Sequence, residues 1–133
     1  MSGRIVIVED EMLLAMDLED ILTEAGYVVV GSAIDMAQAL EIAEKAGGAI
    51  DLALMDVNLA RGPNGIETAA ELRRRWDIPS LFVSGNLDEF TRATAMRSHP
   101  AGFIGKPYSE RELLAAVTVA FAEQKLRISS DLA

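Results

Sequence analysis

Five short apolar runs, at about 4 to 8, 27 to 32, 51 to 55, 79 to 84 and 101 to 105, alternate with longer stretches of helical period. The runs are rich in Val and Ile and lack the in-out alternation of a half-solvated strand. That pattern belongs to strands covered on both faces. Strict strand-helix alternation predicts an α/β domain: a five-stranded parallel sheet with right-handed crossovers and five helices distributed over both faces. A chain of 133 residues suits one such domain.

The helical stretches carry their own punctuation. Leu14, Leu18, Ile21, Leu22 and Ala25 form the inward stripe of the first, with Gly26 as a stop. Asp35 and Gln38 cap a second that begins near Met36, turns Leu40 and Ala43 inward and ends at Gly47-Gly48. Asn64 and Glu67 do the same for a third with Ile66, Ala69 and Ala70 facing the core. The fourth, about Asp88 to Arg97, offers only Phe90, Ala93 and Met96 as an apolar stripe, so it should bury little and be free to shift. Ser109 and Glu112 make a capping box for the fifth, whose stripe is Leu113, Leu114, Val117 and Phe121. Residues 3–123 are expected to form the domain, and 124–133 a helix extension or flexible tail with no output domain.

Composition removes several functions. The absence of cysteine excludes disulfides, thiolate catalysis and cysteine-ligated zinc. Twelve Lys and Arg against 21 Asp and Glu give a net charge of −9, which disfavours direct nucleic-acid binding. Arg73 to Arg75 and the Arg92 to Arg97 stretch read as solvated helix faces, and His99, before Pro100, as a surface-loop residue. No apolar stretch approaches the roughly 20 residues that span a bilayer, and no signal peptide precedes the first strand, so a cytoplasmic location is the default expectation.

Chemistry gathers at the strand ends. In such sheets the functional crevice lies at the carboxyl ends of the strands. Glu9 and Asp10 follow the first strand, Asp56 closes the third, Ser84 ends the fourth and Lys106 follows the fifth. Three acids repel one another unless a cation joins them, and an oxygen-only donor set suits Mg²⁺ or Mn²⁺. Asp10, Asp56 and the backbone carbonyl of Asn58 could ligate the ion directly, with Glu9 acting through water. Lys106 and the Ser84 hydroxyl could meet phosphoryl oxygens, which makes Asp56 a plausible nucleophile toward phosphorus.

The order Glu9-Asp10, Asp56, Ser84-Gly85, Lys106-Pro107-Tyr108 resembles the receiver domain of bacterial two-component response regulators over about residues 3 to 123. The resemblance implies a flavodoxin-like, doubly wound sheet of order 2-1-3-4-5 in a stand-alone receiver. It implies that a sensor histidine kinase or phosphotransfer protein supplies the phosphoryl group to Asp56 with Mg²⁺. Ser84 and Phe103 then occupy the switch positions, and phosphorylation remodels the surface of the fourth helix, fifth strand and fifth helix to control a downstream protein partner, as adaptor, relay intermediate or phosphate sink. Asn58 and Asn86 lie where this family tunes access of hydrolytic water. No catalysis is expected beyond self-phosphorylation and slow autodephosphorylation, no membrane contact is implied, and a homodimer is left open. Ser stands for the usual Thr at 84, Phe for Tyr at 103, and the loop from Val57 to Gly65 lacks the usual proline four residues after Asp56 and carries one residue more than is common before the glycine. The run Leu81 to Gly85 resembles a receiver subgroup common in alphaproteobacteria, with Asn86 where that subgroup has an aromatic.

Two functions from other classes share parts of this pattern. A Mg²⁺-dependent phosphohydrolase with an aspartyl-phosphate intermediate is the main alternative; such enzymes place a second Asp two residues after the nucleophile, where this chain has Asn58. A nucleotide or flavin binder would be expected to carry a glycine-rich phosphate loop, and neither G-x-G-x-x-G nor a P-loop is present.

Overall fold

The computed structural model describes residues 3–59, 62–85 and 88–132, with side chains through Gln124. The elements alternate as expected: β1 (Arg4–Val8), α1 (Met12–Glu24), β2 (Val28–Ala33), α2 (Met36–Lys45), β3 (Leu52–Asp56), α3 (Gly65–Trp76), β4 (Ser80–Ser84), α4 (Glu89–Ala95), β5 (Gly102–Gly105) and α5 (Glu110–Leu132). A 3₁₀ turn, Met96–Ser98, continues α4. All pairings are parallel, in the order β2-β1-β3-β4-β5.

Burial explains why the strands read as unbroken apolar runs. Ile5 and Ile7 join Leu52, Leu54, Leu81 and Val83 in one core cluster with Leu18 and Leu22 of α1 and Leu113 and Val117 of α5. Val6 and Val8 turn to the other face and join Ala53, Met55 and Phe82 with Ala39 and Ala43 of α2 and Ala69 and Leu72 of α3. Neighbouring residues of one strand thus enter different cores, and neither face of the sheet can be polar.

Local chemistry sets the helix ends. Asn64 accepts from the Glu67 N–H at 3.0 Å while the Asn64 N–H donates to Glu67 Oε1 at 3.5 Å, completing the box that opens α3. Ser109 and Glu112 reciprocate in the same way before α5, at 3.1 and 3.2 Å. Asp35 caps α2 through the Gln38 N–H at 2.9 Å, but the Gln38 side chain accepts from Ile34 rather than closing a box on Asp35. Such caps satisfy donors that the first helical turn leaves open.

Several predicted stripes shift. Ala25 and Ala70 are exposed, and Ala15 and Leu72 take the buried places, because the true faces are offset by a fraction of a turn. The correction is largest on α4. Phe90 is 80% and Met96 57% exposed, Ala93 is exposed too, and the buried residue of the helix is Ala95. The weak burial expected of this segment is therefore present on a different face. No described helix is long and apolar enough to cross a membrane.

Candidate functional site

Strand register brings the polar residues together. Val8 of β1 lies opposite Met55 of β3, so Glu9 follows at the level of Asp56. Asp56 pairs with Val83 and Ser84 pairs with Gly105, which places Ser84 and Lys106 one step beyond on the next two strands. All four come from the carboxyl edge of the sheet.

Gly65 sets the floor beside them. Its N–H donates to the Val57 carbonyl at 2.8 Å, and a methyl group added at its α-carbon would overlap the Asp56 carbonyl oxygen. Only glycine lets α3 start directly against the end of β3. The rest of that loop is described apart from residues 60 and 61.

The carboxylates of Glu9, Asp10 and Asp56 offer oxygens that all lie within 4.8 Å of one another. Glu9 is 2%, Asp56 6% and Ser84 1% exposed, whereas Asp10 is half-buried. Lys106 Nζ donates to Glu9 Oε1 at 3.0 Å and sits 3.7 Å from Asp56 Oδ2. The Asn58 N–H donates to Asp56 Oδ1 at 3.2 Å, and the Glu11 N–H to Glu9 Oε2 at 3.2 Å. Glu9 therefore contacts the lysine directly.

Among the described residues one ammonium, that of Lys106, pairs with a cluster of three carboxyl groups, and the imbalance shows on Asp56. Burial first, then a hydrogen bond and repulsion from Glu9, raise its pKa from 3.8 to about 7, against the opposing pull of Lys106 and the Asn58 N–H. For Lys106, burial works against the charge, yet the hydrogen bond to Glu9 and attraction from Asp56, Glu9 and Glu11 leave its pKa raised. A crowded all-oxygen donor set with surplus negative charge fits a hard divalent cation of the Mg²⁺ type. Its chemical contribution would be to offset negative charge where a phosphoryl group meets a carboxylate.

Phe103 is half-buried behind this edge. Its ring stacks on that of Phe82, with centroids 5.7 Å apart, and the guanidinium of Arg92 lies 5.0 Å from its centroid. Asn58 is exposed; Asn86 lies outside the described residues. Tyr108 packs against the α1 and α5 core, and burial holds its phenol at about 12 with no hydrogen-bond partner among the described residues.

Sequence reasoning missed two arginines. Arg73 is no solvated residue: its side chain is 16% exposed and bonds the carbonyls of Ser98 and His99 at 3.1 and 2.6 Å, and Asp77 Oδ1 at 2.9 Å. Arg92 lies over the Phe103 ring. No spacing rule links residues on separate helices to those partners. Arg74 and Arg75 do pair locally with Glu71, as a solvated helix face would.

A doubly wound sheet with an acid trio, a lysine and a buried hydroxyl at its carboxyl edge defines a class of phosphate-responsive signalling domain. The chain belongs to the response regulator receiver domain family, which it matches over residues 5–118. It is 33% identical over 96% of its length to the phyllosphere-induced regulator PhyR of Methylorubrum extorquens, covering 47% of that protein. It is also 33% identical over 88% of its length to the transcriptional regulatory protein PdtaR of Mycobacterium tuberculosis, covering 56% of it. The chain thus spans about half the length of these curated relatives. Among solved structures, the receiver domain of a modulated diguanylate cyclase from Desulfovibrio desulfuricans superposes with a TM-score of 0.85 at 31% identity, covering 96% of this chain and 99% of that one. The fold, its strand order and its place in two-component signalling are those expected from the sequence.

Proposed function

We propose that Asp56 is the phosphoryl acceptor of this receiver. In this reading an Asp56 oxygen forms the new bond to phosphorus as the nitrogen-phosphorus bond of a donor phosphohistidine breaks, and the freed imidazole keeps the electron pair and takes up a proton. Glu9, Asp10, Asp56 and the Asn58 carbonyl hold a Mg²⁺-type cation, and Lys106 and Ser84 receive phosphoryl oxygens. The observation that carries the proposal is the buried cluster itself: Asp56, close to Lys106 and to two further acids, at the end of a central strand.

Donor access has physical support. Met12, Leu13 and Met16 of α1 are 73, 82 and 55% exposed just beyond Glu9 and Asp10, an apolar rim suited to a helical protein surface such as a histidine kinase or phosphotransfer protein presents. Once made, the phosphoryl group adds strong acceptors for Ser84 and Lys106, and drawing Ser84 toward it lets Phe103 shift and α4, β5 and α5 rearrange. That surface then selects a protein partner, and Asn58 with Asn86 adjusts the lifetime of the acyl phosphate. An adaptor, relay or sink would all use this cycle, within the receiver alone or as part of a longer protein.

Incubation with acetyl phosphate and Mg²⁺ should add one phosphoryl group to the wild-type chain, read by intact mass. Asp56→Asn should abolish the addition, and EDTA should suppress it; undiminished labelling of Asp56→Asn would remove Asp56 from the role.

A further inference from the structure

The short helix α4 is held to the domain by two arginines of different kinds. At its far end, Arg73 of α3 donates to the Ser98 and His99 carbonyls at 3.1 and 2.6 Å, closing the 3₁₀ turn that follows α4. Those carbonyls belong to a chain end that has no further helical turn to satisfy them, so Arg73 serves as an external cap. In its middle, α4 reaches the sheet through Arg92, whose guanidinium lies 5.0 Å from the centroid of Phe103 on β5. Apart from Ala95, α4 buries no residue of its own, and Phe90 near its start is 80% exposed.

We propose that Arg92 is a positioning residue of the switch, a latch that ties α4 to the Phe103 ring, while Arg73 holds the opposite end as a pivot. The proposal rests on the reading of Phe103 as the element that moves when Asp56 is phosphorylated. A cation over a ring face is attracted by the ring quadrupole, weakly and only while the ring stays in place. The bonds of Arg73 to two carbonyls do not involve Phe103, so they persist when the ring moves. Withdrawal of Phe103 therefore releases the near end of α4 and leaves the far end anchored. The near part of the helix loosens while its far end stays anchored, and its exposed Phe90 travels furthest.

Amide hydrogen exchange on the full chain tests the latch. Without phosphorylation, Arg92→Ala should speed exchange across residues 89–95 by about two- to five-fold, as expected for loss of one exposed cation–π contact. Phe103→Leu should do the same, and the two effects should be less than additive in the double variant, because the Arg92–Phe103 contact is shared while Phe103 also loses its stacking on Phe82. Arg73→Ala should instead speed exchange through residues 96–99. Additive effects of Arg92→Ala and Phe103→Leu, or acceleration by Arg92→Ala that extends equally through 96–99, would overturn the division into latch and pivot. With acetyl phosphate and Mg²⁺, wild type should gain the same acceleration at 89–95 and Arg92→Ala should gain none; an equal gain in both would also overturn it. A wild-type chain that takes up no phosphoryl group would defeat the assignment of Asp56, and the unphosphorylated double-mutant cycle would still judge the latch.

Discussion

α3 and α4 follow successive strands of one sheet, yet they are attached in opposite ways. α3 opens with a complete capping box, starts against the Asp56 backbone through Gly65 and buries Thr68, Ala69 and Leu72. α4 buries Ala95, leaves Phe90 in solvent and depends on arginine contacts at its middle and end. The contrast separates two tasks. The crevice must keep carboxylates within a few ångströms despite their repulsion, which calls for an unyielding wall. In the proposed switch the surface around α4 must change for a free energy of a few kcal/mol, which calls for a helix with little to lose.

The contrast can be broken first at Gly65. Gly65→Ala should destabilise the domain by about 3 kcal/mol or more, since the methyl group can be housed only by moving backbone. A urea midpoint close to that of wild type would mean that the α3 wall is softer than its geometry indicates.

A smaller effect should come from Asp56 itself. Its carboxyl is raised from 3.8 to about 7 when folded, so the folded chain binds the proton more tightly than the unfolded chain does. That stabilisation is fully present below about pH 4 and is lost as pH rises through about 7. In EDTA, wild type should therefore lose about 2 kcal/mol between pH 4 and 8, and Asp56→Asn should lose much less. Saturating Mg²⁺ should restore wild type at pH 8 and change Asp56→Asn little. Flat stability of wild type across this window would show that the acids are not strained together.

The smallest effect belongs to α4. Phe90→Ala should change stability by no more than about 0.5 kcal/mol, because the ring is already solvated. A loss of several times that value in thermal unfolding would show that α4 is packed as firmly as α3.

Much of this division could be read from residue order. The five strands, the Asn64 and Ser109 boxes and the acids at the strand ends follow from local periodicity and from side chains that bond within four residues of themselves. The inward face of α4 did not follow, because in a seven-residue helix with small and polar residues no stripe outweighs the others. Ala95 is chosen by the shape of the neighbouring core, and the choice leaves Phe90 outside. Arg73 and Arg92 were illegible for a related reason: each acts on a partner from a different element, and a run of like charges looks the same whether it is solvated or not. Strand order itself came from resemblance to a family, since alternation alone permits several parallel arrangements.

The bond between Lys106 and Glu9 joins residues 97 apart in sequence, from strands separated in the sheet by β3 and β4. Closing so long a loop is entropically costly and cannot precede the register of the strands between. The proposed acceptor, Asp56, thus has both Lys106 and Glu9 as neighbours only in a chain whose first and last strands are both in place. During synthesis or partial unfolding the same Asp56 is an ordinary acid without these neighbours, so in the proposed role its competence for phosphoryl transfer would report that the sheet is assembled.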